Sequence, residues 1–154
     1  MPATEEGQHD LSIGARRPNV LVVDDDLSMR ELLQLHLTNA GYSVALADDA
    51  IAAGRMFLGS TPDLLLIDIS MPYLSGLDFV ATVFADLTVP IIPVVFITAH
   101  EQFTQHAEEM GADCLIKPVP VGRLLETVAR NLKARCRAEP IAGAAPLPSG
   151  LSVI

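Results

Sequence analysis

The chain has 154 residues, half of them apolar, and a formal net charge of −9 from 19 acidic and 10 basic side chains. This length predicts a single domain with a core of its own. The acidic balance argues against nucleic acid as a partner, because phosphate backbones repel it. No apolar run approaches the ~20 residues of a membrane span, and the acidic N-terminus is unlike a secretory signal. We therefore expect a cytoplasmic protein without membrane contacts.

Composition divides the chain into three parts. Residues 1–18 are polar and aperiodic, and residues 138–154 are rich in Pro, Ala and Gly. We expect both to be flexible, because they bury too little apolar surface to fold. Residues 19–137 carry alternating strand and helix signals and form the predicted domain. The apolar stretch 151–154 is either a frayed end or a docking peptide.

The first predicted strand and helix set a pattern. Residues 20–23 are an apolar, β-branched run, typical of a strand covered on both faces. After the acidic triplet 24–26, a helix is predicted because apolar residues recur on one face, namely Met29, Leu32, Leu33, Leu37 and Ala40. Asp26 or Ser28 can cap the start of this helix. Gly41 is predicted to close it.

The same alternation continues along the chain. Further strands are predicted at 42–46, 64–67, 94–97 and 114–116, and further helices at 50–58, 77–87, 102–110 and 120–132. Five strands, each followed by a helix, predict an α/β fold with a (βα)₅ doubly wound, five-stranded parallel sheet. In such a sheet the functional site lies beyond the carboxyl ends of the strands.

Charged and hydroxyl side chains gather where these strands end. The first strand ends at Asp24 and Asp25, the third at Asp68, the fourth at Thr98 and the fifth at Lys117. Three carboxylates in one crevice repel one another unless a hard cation lies among them, and partly hydrated Mg²⁺ suits such sparse oxygen ligands. The lysine and the threonine offer a charge and a hydroxyl to a tetrahedral anion. This set predicts phosphoryl transfer to a carboxylate.

Four segments, in order, resemble response-regulator receiver domains of two-component signalling. They are Val-Leu-Val-Val-Asp-Asp-Asp at 20–26, Leu-Ile-Asp-Ile-Ser-Met-Pro at 66–72 with Gly76, Phe-Ile-Thr-Ala at 96–99, and Gly-Ala-Asp at 111–113 with Lys117-Pro118. The resemblance runs over residues 19–133. It implies the flavodoxin-like strand order 2-1-3-4-5. Each motif alone is weak, but the ordered set is specific.

The resemblance also implies a phosphoacceptor and a metal site. Asp68 would be the phosphorylated residue and a ligand of Mg²⁺. Asp25 would bind the ion directly, and Asp24 would act beside it through water. The backbone carbonyl of Ser70 would complete the protein ligands.

Two further roles follow from matching positions. Thr98 would be the switch hydroxyl that turns toward the phosphoryl group, and Lys117 would be the cation that pairs with the phosphoryl group. The resemblance also implies that the Lys117–Pro118 peptide bond is cis. We expect loss of Lys117 to change stability by less than about 1 kcal/mol. The aromatic residue that the family usually carries three positions before the lysine is replaced by Cys114. We therefore expect the response to pass through residues 98–110.

The predicted function is that of a stand-alone phosphoacceptor rather than an enzyme. A histidine kinase or histidine phosphotransfer protein would donate the phosphoryl group, and contact with a downstream protein target would carry the signal, since little chain follows the last helix. Two alternatives stay open: a phosphorylation-independent adaptor and an aspartyl-phosphate phosphohydrolase. The hydrolase usually has a second acid two positions after its nucleophile, where this chain has Ser70. A homodimer also stays open.

Overall fold

The structure, a computed structural model, describes residues 16–138. The strands are β1 (Asn19–Val23), β2 (Ser43–Ala47), β3 (Leu64–Asp68), β4 (Val94–Thr98) and β5 (Asp113–Ile116). The helices are α1 (Leu27–Asn39), α2 (Ala50–Gly59), α3 (Gly76–Ala85), α4 (Thr104–Glu109) and α5 (Val121–Ala138), and a 3₁₀ turn, Glu101–Phe103, precedes α4. Most of the predicted extension 1–18 and tail 138–154 lies outside the described residues.

All five strands are parallel and lie in the order β2-β1-β3-β4-β5, so the predicted doubly wound fold is confirmed. Alternate strand residues feed two hydrophobic clusters. One cluster joins the sheet to α1 and α5, and the other joins it to α2, α3 and α4. Strand β3 is buried along its whole length, because both of its faces and both of its edges are covered. No helix within residues 16–138 is long and apolar enough to cross a bilayer.

The predicted helix stops are confirmed at two glycines. Gly41 and Gly111 have φ of +99° and +77°, a backbone conformation that favours glycine. At the end of α1 the Gly41 N–H donates to Thr38 O, and the next N–H donates to Leu37 O. The end of α4 repeats this paired arrangement. The start of α1, left open between two residues, is capped by Asp26, whose carboxylate accepts from the N–H groups of Ser28 and Met29.

Several predicted details are wrong. The third helix ends at Ala85 rather than Leu87, because Asp86 accepts from the N–H and hydroxyl of Thr88 and turns the chain outward. Leu87 is consequently 98% exposed. The predicted apolar face of α1 is too wide, since Leu32 is 48% exposed while the residues one and five positions later are buried. The predicted helix 102–110 divides into the 3₁₀ turn and α4.

An ionic cluster closes the amino-terminal edge of the sheet. Asp63, just before β3, is buried and accepts from both terminal nitrogens of Arg16 at 2.7 and 2.8 Å. It also accepts from Arg135 Nη1 at 2.6 Å and from the N–H of Asn19 at 2.7 Å. Burial would raise the pKa of Asp63, but the hydrogen bonds from Arg16, Asn19 and Arg135 outweigh it and lower the pKa to about 2. The cluster ties the segment before β1 and the last turns of α5 to the start of β3.

This cluster predicts a defined response to acid. Because the pKa of Asp63 is depressed from 3.8 to about 2, its stabilisation is complete above about pH 4 and is lost as the pH falls toward 2. We expect Asp63→Asn to lower the free energy of unfolding at pH 7 by about 2 kcal/mol. This figure allows for solvent screening of the ion pair, because the side chain of Arg16 is exposed. The variant should also lose less stability than the native chain between pH 4 and 2. Urea unfolding at each pH measures both, with Asp48→Asn, an exposed carboxylate, as the control.

Candidate functional site

The site lies at the carboxyl-terminal edge of the sheet and is built by strand ends. Asp24 directly follows β1, Asp68 and Thr98 are the last residues of β3 and β4, and Lys117 directly follows β5. The ladder continues past the strands, because Asp24 N–H donates to Ala47 O at 3.2 Å and Lys117 N–H donates to Thr98 O at 2.8 Å. These backbone hydrogen bonds hold the first residue after each strand in place. The structure thus brings the predicted site residues to one edge.

Three carboxylates form one cluster. Asp24 and Asp68 are 1% and 4% exposed, whereas Asp25 is exposed at the rim. One oxygen from each carboxylate lies within 4.8 Å of the others. The donor set consists of hard oxygen atoms with solvent on one side, which fits a partly hydrated Mg²⁺. The N–H of Ser70 donates to Asp68 Oδ1 at 3.1 Å and orients that carboxylate.

Lys117 supplies the positive charge of the site. Its Nζ lies 3.1 Å from Asp24 Oδ2 and 3.3 Å from Asp68 Oδ2, so one ammonium bridges two buried carboxylates. The Lys117–Pro118 peptide bond is cis, as the resemblance implies. Burial would lower the pKa of Lys117, but the Asp24 hydrogen bond and the charges of Asp68 and Asp24 outweigh it and raise the pKa. The lysine is therefore a permanent cation in this site.

The electrostatics leave Asp68 under-compensated. Burial, followed by the negative charge of Asp24, raises the pKa of Asp68, and the opposing interactions with Lys117 and Ser70 do not restore it. A carboxylate whose charge is costly in this way gains most from a further cation or from covalent capture of an electrophile. The site is consequently suited to a divalent cation.

Thr98 is completely buried, and its hydroxyl is engaged by the chain that follows it. Thr98 Oγ1 accepts from the N–H of His100 at 3.0 Å. The His100 ring then meets the Phe103 ring edge to face, with centroids 6.2 Å apart. The hydroxyl is thus connected to the 3₁₀ turn before α4. This places Thr98 beside the site and at the start of a chain of contacts leading away from it.

Two residues support the site in ways that the sequence did not reveal. Arg30 Nη1 donates to the backbone carbonyl of Asp24 at 2.6 Å, which fixes the acidic pair against α1. The position of Arg30, one turn into the helix that follows the acidic triplet, could have suggested a contact with that triplet. Its partner is a backbone carbonyl, however, and a sequence pattern does not identify such a partner. At Gly76 any Cβ would overlap the carbonyl oxygen of Asp68. Glycine therefore lets α3 start directly against the end of β3.

Comparison with known proteins identifies the family of this chain. The family model of the response regulator receiver domain matches residues 20–129. Response regulator MprA of Mycobacterium avium (strain 104) is 34% identical over 129 residues, which are 80% of this chain and 56% of that protein. MprA of Mycobacterium tuberculosis (strain ATCC 25618 / H37Rv) is 35% identical over 117 residues, which are 74% of this chain and 50% of that protein. The chain thus spans about half the length of these curated relatives.

Solved structures show the same fold. Chemotaxis response regulator CheY4 of Vibrio cholerae matches with a TM-score of 0.69 at 30% identity, over 75% of this chain and 98% of that one. A response regulator receiver domain protein from Clostridium thermocellum matches with a TM-score of 0.73 over 79% of this chain and 99% of that one. Its identity of 24% supports the fold alone. Since the family model covers most of the folded region and relatives above 30% identity align with it, the chain belongs to the response regulator receiver domains of two-component signalling.

Proposed function

We propose that Asp68 accepts a phosphoryl group from the phosphohistidine of a histidine kinase or histidine phosphotransfer protein. The observation that carries this proposal is the position of Asp68. Its buried carboxylate ends the central strand, 3.3 Å from the Lys117 ammonium and grouped with Asp24 and Asp25. An activated carboxylate, a fixed cation and a set of oxygen ligands are the parts that phosphoryl transfer requires.

The proposed step exchanges one bond to phosphorus for another. A carboxylate oxygen of Asp68 bonds to phosphorus as the phosphorus–nitrogen bond of phosphohistidine breaks. The electron pair of that bond leaves with the imidazole, which takes up a proton from solvent. An acyl phosphate remains on Asp68, with Lys117 placed to pair with its oxygens. The N–H of Ser70 holds the carboxylate in orientation.

The two carboxylates next to Asp68 differ in whether they could bind an ion directly or through water. Both oxygens of Asp24 are already used, one by the N–H of Asp26 at 2.9 Å and one by Lys117. Asp25 is exposed at the rim, where it could bind a hydrated ion directly. We therefore propose Asp25, Asp68 and the Ser70 carbonyl as direct ligands of Mg²⁺, with Asp24 acting through water. Bound there, Mg²⁺ would neutralise charge on the phosphoryl oxygens.

An apolar groove beside the site supports a protein as the phosphoryl donor. It measures about 400 Å³ and runs between α1 and the chain that follows β5. Leu32, Pro118 and Val119 line it, and Lys117 borders it. A small phosphodonor would have no use for such a surface, whereas a protein carrying phosphohistidine can bury apolar side chains there. Contact with such a donor would also cover Leu32, which is 48% exposed.

We propose that the output passes through Thr98 rather than through the last strand. When the hydroxyl turns to a phosphoryl oxygen it must leave the N–H of His100, which frees the loop and the 3₁₀ turn before α4. Cys114 is half-buried against the core and has no ring to move. The surface around α4 is accordingly the part of the domain that a downstream protein target would read.

The central test is phosphorylation by a small donor. Incubation with Mg²⁺ and acetyl phosphate should add one phosphoryl group to the native chain, measured as intact mass. Asp68→Asn should remain unlabelled, because the replacement amide is not a nucleophile at this position. Asp48→Asn, an exposed carboxylate at the same edge of the sheet, should label normally. Labelling of Asp68→Asn would refute the assignment, and an unlabelled native chain would favour the phosphorylation-independent adaptor.

The ligand assignment predicts a loss of metal affinity at the rim. Asp25→Ala should weaken Mg²⁺ binding by about tenfold or more, since it removes a direct oxygen ligand. Titration calorimetry without any phosphodonor measures this directly. Asp48→Ala removes an exposed carboxylate next to β2 and should leave the affinity unchanged. Equal affinity of the Asp25→Ala variant and the native chain would show that the acidic pair serves α1 rather than the ion.

We propose that Lys117 contributes more to stability than the sequence alone predicts. Removing its ammonium leaves Asp24 and Asp68 buried without their shared cation, so Lys117→Ala should lose about 3 kcal/mol in metal-free buffer. Saturating Mg²⁺ should restore part of that loss by supplying the missing charge. Thermal or urea unfolding with and without Mg²⁺ measures both effects. Lys133→Ala, an exposed lysine on α5, is the control, and equal stability of the two variants would contradict the ion-pair account.

A further inference from the structure

A second groove lies at the amino-terminal edge of the sheet, opposite the Asp68 cluster. Its volume is about 620 Å³, within the size range of ligand pockets. The end of α3, the chain leading into β4, the α4–β5 turn and the last turns of α5 form its walls. The lining is mainly apolar and includes Phe84, Ile91, Ile92, Met110 and Ala134.

This groove leaves apolar surface uncovered within the described residues. Ile91 lines it and is 84% exposed, and Met110 at the opposite wall is also exposed. The charged residue at the groove, Arg135, is held by the buried carboxylate of Asp63. A contiguous exposed apolar concavity of this kind often marks a binding surface. An apolar segment would fit this lining without a counter-charge.

We propose that residues 139–154 of this chain, which lie outside the described residues, dock in this groove. Helix α5 delivers them to it, because Ala134 and Arg135 are part of the wall and Ala138 follows only about 4.5 Å farther along the helix axis. A fully extended segment of this length spans about 50 Å, enough to follow the whole groove. The segment therefore starts close enough to the groove and is long enough to occupy it.

The chemistry of the segment matches the lining. Glu139 is its one charged residue, although the chain as a whole is acidic. Five large apolar side chains follow, namely Ile141, Leu147, Leu151, Val153 and Ile154. This composition accounts for the apolar stretch 151–154, which the phosphoacceptor function does not use.

Covalent connection also favours this segment over a separate partner. The groove has neither a free charged anchor among its described residues nor a deep aromatic pocket, so a separate protein would bind it weakly. A tethered segment experiences an effective concentration in the millimolar range, at which modest apolar contacts suffice. Because the α4–β5 turn is part of the wall, docking would place the segment against the end of α4.

The test uses a tryptophan reporter in the full chain, which contains no other tryptophan. Ile91→Trp puts the probe in the groove, and Leu58→Trp puts a control probe on α2, where the native side chain is 82% exposed. Each is combined with the polar-segment variant, in which Leu147, Leu151 and Ile154 are all replaced by Ser. The groove probe should emit at shorter wavelength and quench less with acrylamide in the native segment background. Both differences should vanish in the polar-segment variant, while the control probe should not respond.

A second measurement needs no probe. Hydrogen exchange of peptides covering 87–92 and 110–112 should be faster in the polar-segment variant than in the native chain, with peptides of β1 unchanged. Identical exchange in the two chains, together with an unshifted groove probe, would overturn the proposal. A probe shift that disappears on dilution would overturn it in favour of a second copy of the chain as the occupant.

Discussion

The site depends on one electrostatic constraint: two buried carboxylates lie at the ends of neighbouring strands and share a single ammonium. The β1–β3 register that pairs Val23 with Ile67 sets Asp24 opposite Asp68, and Lys117 reaches both from β5. Burying an ion costs several kcal/mol unless partners compensate for the lost water. Lys117 meets part of that cost, and the rest makes the site receptive to a further cation or to a phosphoryl group. Removing repulsion is thus the physical basis of the chemistry we propose.

The pKa values of the buried carboxylates at the two edges of the sheet are shifted in opposite directions. Asp63, at the amino-terminal edge, accepts hydrogen bonds from the guanidinium groups of both Arg16 and Arg135, and its pKa falls to about 2. Asp68, at the carboxyl-terminal edge, competes with Asp24 for one cation, and its pKa rises. A carboxylate whose charge is fully compensated stabilises the fold, and its reactivity is low. An under-compensated carboxylate costs stability and is available for function.

The connection from the site to the surface follows from where the Thr98 hydroxyl is bound. It accepts from the N–H of His100, whose ring contacts Phe103 in the 3₁₀ turn. In the response that we propose, a change at this hydroxyl would alter the loop before α4 without requiring movement in β5. The far end of α4 borders the groove that we assign to residues 139–154. One short helix thus lies between the proposed phosphorylation site and the proposed docking site.

The sequence alone predicted the alternating strands and helices and the strand-end residues, because apolar runs and helical periodicity are local properties of the chain. The strand order followed from the resemblance of the ordered motifs to receiver domains. The sequence also located the stops at Gly41 and Gly111, where backbone conformation demands glycine. Only the tertiary structure decided which charges share a partner, since ion pairs such as Lys117–Asp24 join residues 93 positions apart. The contacts of Arg30, the crowding at Gly76 and the Asp63 cluster are likewise invisible to local patterns. They arise where separate elements meet, and distance in space is not encoded in spacing along the chain.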